Sequence, residues 1–82
     1  MYAPLNGGKN PNRVMITIFK TDISQEQESR VRQFLDLFKE ILKIDFDFED
    51  CDNILRIETI GNITSNVEIV LNSNGYFCKE LL

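Results

Sequence analysis

The sequence predicts one α+β domain in which the elements follow the order β-α-β-β-α-β, with both helices on one face of an antiparallel sheet. Three observations carry that expectation. Apolar residues recur at spacings of three and four between Val31 and Leu42, the period of an amphipathic helix. They then alternate with carboxylates from Ile44 to Glu49, the period of a strand with one covered face. Two capping-box signatures, at Ser24 and Ser65, each follow a β-branched run and open a helical stretch.

Residues 1–13 (MYAPLNGGKNPNR) combine Gly7-Gly8, two prolines and several asparagines without apolar periodicity. They are expected to be a flexible lead-in to a domain over 14–82. VMITIFKT (14–21) is β-branched and apolar on both faces, as suits a central strand. Asp22 and Ser24 offer helix caps, and Ser24-Gln25-Glu26-Gln27 fits a capping box. Val31, Phe34, Leu35, Phe38, Ile41 and Leu42 then form one stripe, so a long helix is expected to run through Leu42.

In the next strand Ile44, Phe46 and Phe48 face one way and Asp45, Asp47 and Glu49 the other. Acidic studding of this kind suits a sheet edge, where charge discourages pairing with another molecule. Asp50-Cys51-Asp52-Asn53 supplies the turn. ILRIETI (54–60) makes the third strand, with Leu55 and Ile57 inward, Arg56 and Glu58 outward, and Gly61-Asn62 ending it. The second helix starts at Thr64 or Ser65, where Ser65-Asn66-Val67-Glu68 repeats the capping box, and buries Val67, Val70 and Leu71. Gly75 ends it in the left-handed conformation. YFCKEL (76–81) closes the domain, with Tyr76 and Cys78 inward and Phe77 toward the open face of the sheet.

Two right-handed β-α-β crossovers sharing a hairpin place the first and third strands at the centre of a four-stranded antiparallel sheet. This is the ferredoxin-like split β-α-β sandwich. A β-meander packed on two helices is the competitor, and it fits the helix-first order less well.

Composition narrows the roles. The formal net charge is −4, with 9 basic against 13 acidic residues. Phosphate-backbone binding draws on clustered Lys and Arg, so nucleic acid is not an expected partner, nor is an anionic membrane surface. Histidine is absent, which removes the commonest general base and the commonest metal ligand together. With no signal-peptide pattern and no apolar run near 18 residues, the expected compartment is the cytosol, where Cys51 and Cys78 are expected to be reduced thiols.

None of the chemistry-bearing residues assembles a catalytic pattern. Ser24 and Thr64 have no His or Lys base at a meaningful spacing and read as capping residues. The acidic group Asp45, Asp47, Glu49, Asp50 and Asp52 lacks the loop grammar of a calcium site and reads as a solvated edge. Cys78 reads as a small buried strand residue, and the carboxylates around Cys51 oppose a reactive thiolate. No enzyme activity and no cofactor are expected.

The runs FKTDI before the first helix, EDCDNILRI around the hairpin and NGYFCKEL at the end resemble the small heavy-metal-associated domains of bacteria. The resemblance implies the same ferredoxin-like fold and descent from soft-metal carriers. In that family two cysteines, two residues apart in the loop after the first strand, bind a thiophilic cation. Aligned on the strand, those positions fall on Gln25 and Glu28 here; aligned on Val31, they fall on Ser24 and Gln27. Neither register supplies a thiolate, and soft monovalent metals select sulfur ligands. The ligand role is therefore carried over to no residue.

What remains is a protein-interaction domain on a metal-carrier fold. The expected contact surface is the loop with the start of the first helix (Asp22, Ser24, Gln25, Gln27, Glu28) plus Phe77, with another protein or a second copy as partner. The alternative is residual cation binding through the acidic hairpin or through Cys51 and Cys78.

Overall fold

The structure, a computed structural model, describes residues 14–49 and 53–82. Its elements are β1 (Val14–Thr21), α1 (Glu28–Leu35), β2 (Ile41–Asp47), β3 (Ile54–Ile60), α2 (Thr64–Ser73) and β4 (Cys78–Glu80), with a 3-10 turn over Gln25–Gln27 leading into α1. The four strands form one antiparallel sheet in the order β2-β3-β1-β4. The first and third strands are central, as the crossover rule requires, and the meander is excluded. The expected lead-in over 1–13 and the turn residues Asp50, Cys51 and Asp52 lie outside the described residues.

One side of the sheet carries the core. Thr17, Phe19 and Thr21 of β1 alternate inward and meet Leu55, Ile57 and Thr59 of β3; Val31 and Leu35 of α1 and Val67 and Leu71 of α2 close over them. Each fully buried aliphatic or aromatic side chain contributes roughly 1.5–3 kcal/mol. The buried threonines are hydrogen-bonded: Thr59 Oγ1 donates to the Gly61 carbonyl at 2.7 Å, and Thr17 and Thr64 share a 3.4 Å hydroxyl contact. On the other side, Ile16 and Ile18 are 53% and 41% exposed. The two-faced apolar pattern of β1 thus describes a central strand with one uncovered face.

The long first helix is corrected. α1 stops at Leu35, and the amides of Leu37 and Phe38 bond back to Phe34 and Leu35 at a tightened three-residue spacing. Ile41 and Leu42, assigned to the helical stripe by their spacing, belong to β2. Ile41 sits opposite Thr59, and Leu42 is the extra residue of an irregularity between Ile41 and Lys43. The physical reason is β3: its full length is paired only if β2 starts this early, and backbone pairing outweighs another turn of helix. Phe48 lies just past the end of β2, yet still stacks on Phe46 at 5.3 Å.

Two of the expected caps are also corrected. Ser65-x-x-Glu68 forms no capping box: Asn62 Oδ1 accepts from the Thr64 amide at 3.2 Å, and Glu68 Oε2 accepts from the Glu80 amide at 2.7 Å. Glu68 ties α2 to the short strand β4. Asp22 caps no helix, since its carboxylate accepts from the Phe77 amide at 2.8 Å. The C-terminal end of α2 is as the sequence predicts. Gly75 has φ +91°, the Tyr76 amide reaches the Leu71 carbonyl, and the Gly75 amide reaches Asn72, which is the Schellman pattern.

Candidate functional site

The loop between β1 and α1, with the first residue of α1, holds five of the six residues singled out in the sequence. It is built from the inside out. Thr21 Oγ1 accepts from the Ile23 amide at 3.1 Å and donates to the Asn53 carbonyl at 2.6 Å. Asn53 has φ +47°, a left-handed conformation that asparagine tolerates, at the entry to β3. Ile23 is fully buried and pins the loop to the core. Asp22 pairs with the backbone of Phe77 in both directions, its amide donating to the Phe77 carbonyl at 3.3 Å. That brackets the loop against the approach to β4.

Beyond Ile23 the chain turns outward. The Ser24 amide donates to Gln27 Oε1 at 2.9 Å, and the Gln27 amide donates to the Ser24 carbonyl at 3.0 Å, closing the 3-10 turn. The capping box predicted at Ser24 thus forms, on a 3-10 turn that feeds α1. Glu28 Oε2 accepts from Arg32 Nε at 2.8 Å, the favoured i, i+4 arrangement. Arg32 also donates to the Ile44 carbonyl at 3.3 Å and lies 5.3 Å over the Phe46 ring. Gln25 and Glu26 stand exposed.

The structure therefore brings Asp22, Ser24, Gln25 and Gln27 of the loop together with Glu28, the first residue of α1, with Phe77 linked to them through the Asp22 bonds. Phe77 is 46% exposed, while Tyr76 packs against the core and Cys78 is buried in it, the burial expected of them, although the strand expected over 76–81 is shorter and β4 begins only at Cys78. Arg32, Phe46 and Asn53 complete the surroundings of the loop and were not singled out from the sequence. The Glu28–Arg32 spacing was the available signal for one of them; the other two depend on tertiary contacts.

The donor chemistry of this loop does not fit a thiophilic ion. It offers hydroxyl, amide and carboxylate oxygen, and Gln27 and Glu28 already spend an oxygen each on the bonds that shape it. Among the described residues no three His, Cys, Asp or Glu side chains converge as a metal-binding group. Asp45 pairs with Lys43 at 3.6 Å, and Asp47 Oδ1 accepts from the Glu49 amide at 3.1 Å. Asp50, Cys51 and Asp52 lie outside the described residues.

Cys78 is 3% exposed. Burial, then the Glu68 and Asp22 carboxylates, push its thiol up to about 12. A ligand or nucleophile needs the opposite shift. Because the folded thiol titrates above its unfolded value near 9, stability is unaffected by this group below pH 9 and falls as pH rises from 9 toward 12. We expect the urea midpoint to decline over that range, and C78A to decline less steeply. Equal slopes in the two proteins would show that the Cys78 proton is not linked to folding.

A shallow open groove of about 330 Å³ lies elsewhere, between the end of α1 and β2, lined by Arg32, Asp36, Phe38, Lys39, Leu42 and Lys43 among others. No helix among the described residues is long and apolar enough to cross a membrane.

Neither a protein-family model nor a curated protein matches the sequence. Among solved structures, the chain is similar to the N-terminal domain of ZntA in its Zn(II) form, with a TM-score of 0.68 at 15% identity. The match covers 79% of this chain and 89% of that one. At this identity the likeness establishes the fold: a four-stranded antiparallel sheet with two helices, shared with a metal-binding domain.

Proposed function

We propose that this chain, which shares its fold with a zinc-bound domain, is a non-enzymatic docking module that recognises another protein through the loop between β1 and α1. The observation that carries the reading is the loop itself. At the place where a soft-metal carrier presents two sulfurs, this chain has Gln25 and Glu28 in one register and Ser24 and Gln27 in the other. Gln27 and Glu28 hold the loop in shape, while Gln25 and Glu26 point their polar ends to solvent. A rigid loop with exposed amide and carboxylate groups suits hydrogen-bonded recognition of a basic surface.

The cation-binding alternative is weakened by Cys78, whose buried thiol resists the deprotonation that a ligand requires. Titration of the protein with copper(I), zinc and calcium, followed by amide chemical shifts, separates the two readings. The expected result is no saturable shift at micromolar metal. Saturation centred on Cys51, Cys78 or the acidic hairpin would replace docking by metal binding. In parallel, proteins captured from the native host should be lost with Q25K/E26K, which leaves the Glu28–Arg32 pair intact. Unchanged capture would remove this loop as the contact surface.

A further inference from the structure

We propose that the open face of the sheet is a dimer interface, on which a second copy of this chain packs face to face about a two-fold axis. This uses a different surface from the β1–α1 loop and stands or falls separately from it. The outward residues follow from the register. Asp45, Arg56 and Ile18 lie side by side in one row across β2, β3 and β1. Lys43, Glu58 and Ile16 lie side by side in the neighbouring row. The centre of the face is therefore a checkerboard of charge, negative and positive over positive and negative, beside two exposed isoleucines. Lys43 and Asp45 pair along β2, whereas Arg56 and Glu58 form no ion pair among the described residues.

Such a pattern is complementary to itself. A two-fold axis in the plane of the face, crossing the strands between the two rows, lays each row over the other row of the second copy. Arg56 then meets the partner's Glu58, Asp45 meets the partner's Lys43, and Ile18 meets the partner's Ile16. One step further out, Ile54 meets the partner's Ile60. Each of the four charges in the two central rows faces its opposite, as an isologous interface demands, while Lys20, in the row of Ile54, meets the partner's Val14 at the margin. An axis along the strands lacks this property: taken through the middle of the sheet it sets β3 over the partner's β1 and puts Arg56 against the partner's Ile18 and Glu58 against the partner's Ile16.

Size sets the strength. Four strands about 4.8 Å apart and seven residues at about 3.3 Å give a face of roughly 450 Å² in projection for each copy. Two such faces bury on the order of 900 Å² before side-chain relief is counted, near the lower bound of specific interfaces. The dimer is accordingly a weak one, and association weakens with added salt.

Sedimentation velocity of the full 82-residue chain from micromolar to millimolar concentration tests this. The expected result is a reversible shift from 9.5 kDa toward twice that mass. R56E alone and E58R alone should each raise the dimer dissociation constant at least tenfold, because each sets like charges across the axis twice. Mixing R56E chains with E58R chains should restore association, since both cross-axis pairs are again opposite. Misfolding of either variant cannot produce that rescue. A wild-type chain that stays monomeric to millimolar concentration overturns the proposal, as does a dimer that neither variant weakens or a mixture without rescue. If residues 1–13 cover the face within one chain, the wild type is monomeric and their amide signals shift in I16K, which overturns it too.

Discussion

Replacing Phe19 by alanine is expected to cost about 3–5 kcal/mol, the range for removing a buried aromatic ring. Phe19 is 1% exposed, lies on a central strand opposite Leu55, and reaches the layer closed by both helices. Small domains hold only about 5–15 kcal/mol in total, with a chain of this length toward the lower end. F19A should therefore leave a large unfolded fraction at room temperature, read by urea denaturation followed by far-ultraviolet circular dichroism. F77A is the control, since its ring is half exposed at the sheet margin. Its cost should stay within about 0.5 kcal/mol, as for surface substitutions generally. Comparable losses at the two positions would show that Phe77 is packed in solution as fully as Phe19.

The second large effect is a gain. If donor chemistry alone separates this loop from that of a soft-metal carrier, Q25C/E28C should bind zinc at least about a hundredfold more tightly than the parent chain, or about 2.7 kcal/mol. The buried Ile23 fixes the frame of the loop and favours the strand-based register, in which these two positions carry the sulfurs. Losing Glu28 sacrifices the exposed pair with Arg32, which at i, i+4 spacing contributes about 0.3–0.5 kcal/mol. S24C/Q27C tests the other register and also removes the Gln27 oxygen that holds the Ser24 amide. Competition with a chromophoric chelator gives the dissociation constants. If neither pair binds more tightly than the parent, the missing sulfurs are not what distinguishes this loop.

Much of the fold was legible because its signals are local. Alternation on β3 and β2 announced which residues face the core, and the Asn74-Gly75 step announced the end of α2. The end of α1 was not legible. Phe38, Ile41 and Leu42 satisfy a helical period and a strand assignment equally well over so short a run, and only the length of β3 decides between them. The cap of α2 failed for a related reason. Glu68 had two amides within reach, and the one supplied by β4 is invisible to any pattern confined to the helix.

At the loop, the residue types were plain in the sequence, and only one of their bonds was. The capping-box spacing announced the bond between Gln27 and Ser24, whereas Asp22 read as a helix cap and Glu28 as polar surface, yet they are held by Phe77 and Arg32. The Asp22–Phe77 link spans most of the chain and has no signature in local periodicity.

By itself, then, the order of residues determined the number and order of the elements, the inward set on the last three strands and the absence of a paired-cysteine loop, because each follows from side-chain chemistry at short range. Where α1 gives way to β2, the register in which the strands pair, and which charges stand in adjacent rows on the open face were decided only when the chain closed on itself. Those features depend on backbone groups far apart in sequence finding hydrogen-bond partners, and a partner's identity is a property of the assembled sheet.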